Sequence, residues 1–256
     1  MPQTDLSPDA VTQQPGRVLL PPRLISGYEA FLGGRFSQEQ ERYHHLAETG
    51  QHPTILLIGC CDSRVSPEVI FDMRPGELFV VRNIANLVPP YGPNDDLHGT
   101  SAALEYAVIV LKVEHIVLMG HASCGGVLAY ARQQTHHQEP LTDGDFIGKW
   151  IGLLSRAATY VDCQDRTIED YVERLALASI VQGLVNLRTF PWIREREARG
   201  RLSLHGAYFG ISEGNLLALH ESSGRFLPIA AKAHQAAQSH SQTSAPPVHA
   251  RDVQKI

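Results

Sequence analysis

Three residues in two short stretches have the types and spacing to hold one metal ion. Residues 54–64 read Thr-Ile-Leu-Leu-Ile-Gly-Cys-Cys-Asp-Ser-Arg, so Cys60 follows an uncharged run and a glycine, with Asp62 and Arg64 just beyond it. Residues 115–126 repeat the device: an apolar run ends at Gly120 and is followed by His121, Cys124, Gly125 and Gly126. Zinc accepts thiolate and imidazole in a tetrahedral arrangement, and three protein ligands with a fourth place left to water mark a catalytic rather than a structural site. Taken singly, each residue has a plainer reading, because buried cysteines are common and a glycine-flanked His can simply cap a helix. Together they form a ligand set whose two thiolates cancel the charge of a dication, which acidifies its water less than three imidazoles would. Asp62 and Arg64, two positions apart, are either an acid held by its base or a surface ion pair of little energetic worth.

The elements that must position these residues can be read from the same runs. Residues 54–58 carry no charge and are mostly β-branched or Leu, the signature of a strand buried on both faces. Residues 78–82 and 116–119 read as two more such strands. Open α/β sheets place their sites at the carboxyl ends of their strands, where Cys60 and His121 stand. Gly125-Gly126 starts a helix there, and its amides and positive dipole end favour a thiolate or a bound anion, which makes Gly125 a candidate contact.

Along the rest of the chain, residues 1–20 are polar with Pro2, Pro8 and Pro15 and read as a flexible arm. A helix from 24 to 32 is expected to stop at Gly33-Gly34, and Ser37 with Gln40 forms a capping box for a second helix that Gly50 ends. Ser66-Pro67 opens a short helix. Residues 83–96, rich in Pro, Gly and Asn, read as a long surface loop containing Asp95 and Asp96, which together with His98 are better caps than ligands. The helix after His98 shares a face through Leu104, Ala107, Val108 and Leu111, and residues 133–145 read as a polar excursion. Thr167 with Asp170 caps a long helix that Pro191 stops. Residues 202–211 and 215–220 read as a hairpin added at the sheet edge, residues 194–201 as a solvated helix end or loop, and residues 232–256 as a disordered tail.

Composition agrees with one sizeable α/β domain, over residues 21–231: of 256 residues 43% are hydrophobic and 19% charged. The net charge of −5 and scattered basic residues argue against a nucleic-acid partner. No basic segment followed by an apolar one opens the chain, and no stretch approaches membrane-spanning length, so a cytoplasmic protein without a membrane partner is expected. Four cysteines, two of them adjacent, fit metal ligation in a reducing compartment better than disulfides. Cys61 and Cys163 are left over, and His136, His137, His205, His220, His234, His240 and His249 read as ordinary residues.

The motifs Cys60-Cys61-Asp62-Ser63-Arg64-Val65 and Gly120-His121-Ala122-Ser123-Cys124-Gly125-Gly126 resemble the paired zinc motifs of the β-class carbonic anhydrases. The resemblance extends through residues 82–90, 99–106 and 204–210, and covers roughly residues 24–227. It implies a mostly parallel central β-sheet with an added edge hairpin, flanked by helices, with protruding N-terminal helices that embrace a partner subunit. It also implies one Zn2+ per subunit on Cys60, His121 and Cys124, and hydration of carbon dioxide to bicarbonate by a zinc-bound hydroxide. Arg64 would hold Asp62, and Asp62 would accept the hydrogen bond that orients the attacking oxygen; in some relatives the Asp instead swings onto the metal. Gln51, Phe79 and Tyr106 match the substrate-pocket positions of the plant-type branch, as an amide donor and two aromatics; without the resemblance they are a helix-end polar residue and two core rings. A homodimer or tetramer is implied, with pocket residues shared across the interface. Cys61 replaces the usual Ser or Ala between ligand and Asp.

Two other readings keep the same residues. One changes the electrophile to carbonyl sulfide or carbon disulfide, and the other makes adjacent Cys60 and Cys61 a zinc or redox sensor. A phosphate-binding reading of residues 120–126 fails because no Lys-Ser/Thr pair follows the glycines.

Overall fold

The computed structural model describes residues 20–94, 96–136, 146–162 and 167–229. The expected arm up to residue 19, the tail over 232–256, and Asp95, His137 and Cys163 lie outside the described residues. The chain divides between Gly50 and Gln51 into two compact units.

The first unit is helical. Helix α1 (Pro22–Phe31) begins on a proline, whose missing N–H costs nothing in a first turn. It runs on through a π-helical turn (Leu32–Phe36) into α2 (Ser37–Thr49), which Gly50 ends with φ 80°. Gly33 and Gly34 were expected to stop the helix and Ser37 to cap the next one. Instead the backbone stays helical at Phe36, and the Ser37 hydroxyl donates back to the Gly34 carbonyl at 2.7 Å. The wide turn places residues five apart on one side. Phe31, Phe36 and Tyr43 accordingly meet, with ring centroids 5.3 to 5.9 Å apart.

The second unit is built on a six-stranded sheet of order β2-β1-β3-β4-β5-β6. Its elements run β1 (Ile55–Cys60), α3 (Pro67–Ile70), β2 (Leu78–Asn83), α4 (Gly99–Glu105), β3 (His115–His121), α5 (Gly125–His136), α6 (Phe146–Ile151), α7 (Ser155–Ala158), α8 (Ile168–Leu187), α9 (Pro191–Ala198), β4 (Ser203–Phe209), β5 (Leu216–His220) and β6 (Arg225–Pro228). Strands β2, β1, β3 and β4 are parallel, and β5 and β6 are antiparallel additions. The α/β class and the mostly parallel sheet are as expected, but the edge is different. Residues 203–209 are the fourth parallel strand, paired with β3 over its whole length, and the hairpin continues into a sixth strand. That strand is four residues long and ends on a proline, too short for alternation to reveal it.

Strand β1 is buried almost throughout, as a parallel strand covered on both faces must be. Leu56 and Ile58 join the main core with Ile116, Leu118 and the helices, while Leu57, Met119 and Ala207 form a smaller cluster on the other face. Helix α8 supplies most of the main core's cover. Thr167 caps it by accepting the Asp170 N–H at 3.2 Å, and Ile180 lies against the sheet at Gly120 and Gly206. A Cβ at Gly120 would sit 2.9 Å from Ile180 Cδ1, so the glycine lets the Ile180 side chain lie directly on the strand. Pro191 ends no helix itself; it opens α9 after α8 has closed at Leu187. Residues 194–198 are thus helical, and Arg196 reaches the Lys112 and Val113 carbonyls at 3.3 Å. Among the described residues no helix is long and apolar enough to cross a membrane.

Candidate metal centre and active site

The sheet brings the three candidate ligands to one place. Cys60 is the last residue of β1 and His121 the last of β3, so each strand continues through its glycine to the ligand instead of stopping before it. The two strands are parallel and paired through Ile58 and Leu118, which delivers both ends to the same edge. Cys124 stands immediately before α5. The ligand atoms of Cys60, His121 and Cys124 all lie within 4.8 Å of one another, and the sulfurs are 4.0 Å apart. All three residues are at most 5% exposed.

The imidazole is set by its neighbour. His121 Nδ1 lies 2.8 Å from the Ala122 carbonyl, which can only accept, so the proton belongs on Nδ1 and Nε2 is left with a lone pair. That Nε2 is buried without a partner. An orphaned nitrogen beside two sulfurs is the donor set zinc takes. The thiols share a proton: hydrogen bonding from Cys124 draws Cys60 down to about 4, against the opposing effect of burial. Cys124 is pushed up by the same hydrogen bond and by burial. Backbone N–H groups of Asp62 and Ala85 point at the Cys60 sulfur, and those of Gly126 and Val127 at Cys124, so both sulfurs sit where negative charge is favoured.

Asp62 and Arg64 are more than a surface pair. Arg64 donates from Nε to Oδ1 at 2.9 Å and from Nη2 to Oδ2 at 2.7 Å, and its backbone N–H adds a bond to Oδ1 at 3.0 Å. Arg64 Nη2 also reaches the Ser123 carbonyl at 3.2 Å, joining the two ligand loops. These bonds hold the Asp62 carboxyl well below the usual carboxylate range. Asp62 Oδ2 lies 4.0 Å from His121 Nε2 and therefore faces the cluster.

One contributor escaped sequence reasoning. Arg82, in register with Gly59, donates from Nε to the Cys60 carbonyl at 2.8 Å and from Nη2 to the Asp62 carbonyl at 2.7 Å. Its signal was a lone charge near the end of an apolar strand. The segment that follows is not the surface loop its composition suggests, because residues 85–88 turn inward: Ala85, Asn86, Leu87 and Val88 are all at most 5% exposed, while Ile84 stays 41% exposed. Ala85 and Asn86 take left-handed backbone, φ 60° and 48°, and the Asn83 side chain holds the turn through both backbone groups of Leu87. Gly126 makes room for it, since a Cβ there would meet Ile84 Cγ2 at 2.8 Å and Ala85 Cβ at 3.1 Å.

Of the expected pocket residues, Phe79 and Tyr106 meet with ring centroids 5.9 Å apart, and Tyr106 remains 45% exposed. Gln51 is exposed and is not joined to them by a hydrogen bond among the described residues. Gly125 opens α5 beside Cys124, and Cys61 is exposed. His98 occupies the N-cap position of α4 without a side-chain capping bond.

A sequence profile of the carbonic anhydrase family matches residues 55–216. Beta carbonic anhydrase 6, mitochondrial, of Arabidopsis thaliana is 35% identical over 190 residues, 73% of this chain and 63% of that protein. The solved β-carbonic anhydrase CcaA is 35% identical with a TM-score of 0.71, over 80% of this chain and 98% of its own. The chain belongs to the β-class carbonic anhydrases. A tetrameric β-carbonic anhydrase of Sordaria macrospora is likewise similar, at 36% identity and a TM-score of 0.66 over 77% of this chain and 95% of its own. Enzymes of this class use zinc to interconvert carbon dioxide and bicarbonate, and the Cys60, His121 and Cys124 cluster is positioned to bind that metal.

Proposed function

We propose that residues 21–231 form the catalytic domain of a zinc-dependent carbonic anhydrase, with Cys60, His121 and Cys124 as ligands. The observation that carries this reading is the buried, partnerless His121 Nε2 within 4.8 Å of both sulfurs, with an ionised carboxylate beside it. Zinc bound there supplies Lewis acidity, which brings the pKa of water from about 15.7 toward about 7. Asp62, kept ionised by Arg64, accepts a hydrogen bond from the attacking oxygen and turns its lone pair toward the carbon of carbon dioxide. The carbon–oxygen bond formed gives bicarbonate, and the proton released passes to solvent buffer. Phe79 and Tyr106 supply an apolar wall suited to a small neutral substrate. Gln51 offers an amide donor, and the Gly125 N–H, at the positive end of α5, offers a contact for the anionic product.

The protein acts as a homo-oligomer with a dimer as its minimum unit, a reading supported by the tetrameric relative. A cytoplasmic location is supported by the described cysteines, all of them free.

The test is stopped-flow carbon dioxide hydration on zinc-assayed protein across pH, alongside Cys60→Ser. Turnover that rises with pH, and is lost in the variant together with its zinc, is expected. Zinc-loaded protein inactive at every pH overturns the reading and turns attention to carbonyl sulfide and carbon disulfide.

A further inference from the structure

A second pair of metal-binding side chains lies far from the cysteine cluster. Strands β3 and β4 are parallel with His115 opposite Ser203 and Val117 opposite His205, so the two histidines are diagonal neighbours. Both point to the sheet face that carries Val117, Met119 and Ala207, because side chains alternate along a strand. Their rings are tilted by 52° with centroids 5.3 Å apart, and His115 Nδ1 lies 3.2 Å from His205 Nε2. We infer that His115 and His205 form a second site for a borderline divalent transition metal such as Ni2+, Cu2+ or Zn2+, with two protein imidazoles and the remaining places filled by water.

The spacing is the argument. An imidazole nitrogen binds such an ion at about 2.0–2.1 Å, so two nitrogens sharing one ion lie about 2.9 Å apart at a right angle and about 3.4 Å apart at a tetrahedral one. The observed 3.2 Å falls between these values, so an ion seated off the line joining the two nitrogens, with small rotations that turn both lone pairs toward it, meets both at bonding distance. Both histidines stand on paired strands, so little backbone freedom is lost when a metal binds. His205 is held below the usual histidine range by burial and by His115, against the pull of Glu221, and its neutral form is the ligand form. Glu221, in the turn after β5, is ion-paired with Arg188 at 2.9 Å and gives the site a nearby anion. Imidazole donors without thiolate suit nickel, copper and zinc. Strand β3, seven residues from His115 to His121, separates this pair from the cysteine cluster by about 20 Å at a rise of about 3.3 Å per residue. The two sites are therefore independent, and this one does not rest on the assignment of catalysis.

The experiment uses zinc-loaded full-length protein titrated with Ni2+ by calorimetry, with Tm measured before and after. His115→Ala and His205→Ala are compared with the unaltered chain, so that nickel held by the chain's other histidines cancels. Expected is one nickel per subunit whose affinity falls at least tenfold in each variant, with a nickel-dependent rise in Tm that both lose. The zinc held by the cysteine cluster, one per subunit after weakly held zinc is dialysed away, and carbon dioxide hydration should stay unchanged. Superposable titrations of all three proteins overturn the inference, as does a loss confined to one variant. If an alanine variant fails to fold, judged by circular dichroism, the corresponding Gln variant takes its place under the same criteria.

Discussion

Because Arg64 grips both carboxylate oxygens of Asp62 and adds its own backbone N–H, the carboxylate stays charged throughout and above the ordinary carboxylate range. Asp62→Asn keeps the shape but makes one of the two positions a donor, so it cannot hold the attacking oxygen in the same sense. We expect it to retain zinc by metal assay while kcat/KM falls about 10²- to 10⁴-fold, the range for a positioned proton-handling group. Fast hydration by a zinc-replete Asp62→Asn would remove Asp62 from the mechanism. The pH dependence follows from the same contact. A carboxyl whose folded-state pKa is depressed contributes stability above its unfolded value, near 3.9, and that contribution is lost as pH falls through the lower folded value. Arg64→Ala brings Asp62 back toward its ordinary value, so the variant should be slightly less stable near neutrality, by a small amount because solvent screens Arg64, and that deficit, read by urea denaturation, should shrink as pH falls below about 4. An acid limb of activity between pH 5 and 7 that vanished in Asp62→Asn would contradict the assignment, since Asp62 does not titrate there.

At the scale of elements, the site is two strand ends and one helix start held together by the 82–88 segment. Arg82 ties the Cys60 and Asp62 carbonyls to β2, so it fixes the ligand loop without touching metal or substrate. Arg82→Gln loses the fork that reaches two carbonyls. Its zinc affinity, read by chelator competition, should drop about 10- to 100-fold, as when partners that orient ligands are removed; unchanged affinity would make Arg82 a purely structural residue. Gly126→Ala drives a Cβ into the Ile84-Ala85 turn and should cost about 1–3 kcal/mol in urea denaturation, the usual penalty for overpacking. The ligand trio was legible in the sequence because each half is local: an apolar run, a glycine, then a donor. The inward turn was not, because its composition is that of a surface loop. Its left-handed residues, Ala85 and Asn86, are held there by Gly126 and the Asn83 amide, contacts that no local pattern encodes. Gly33 and Gly34 misled for the converse reason, since a glycine permits a helix stop without compelling one. The His115 and His205 pair went unseen because it depends on the register of two strands about 90 residues apart in the chain.

Across the whole molecule, zinc ligation joins segments that the chain keeps well apart: Cys60 and Cys124 are 64 residues from each other and belong to different elements. A metal that binds the folded cluster and not the open chain stabilises folding by mass action, about 2.7 kcal/mol when free metal is a hundredfold above Kd. At about 2–4 °C per kcal/mol for a chain of 150–250 residues, this is a Tm difference of roughly 5–10 °C between zinc-loaded and chelated protein. The sign of its pH dependence is fixed by the ligands, which must shed protons to bind: two thiols and an imidazole take up protons as pH falls and compete with zinc. The zinc-dependent increment in Tm should therefore be larger at pH 8 than at pH 6, measured by scanning calorimetry with and without chelator. A lysine- or arginine-lined anion site would show the opposite trend or none, because its groups stay protonated across that range. An increment independent of pH would mean that the metal sits elsewhere than on Cys60, His121 and Cys124, whatever the activity of the preparation.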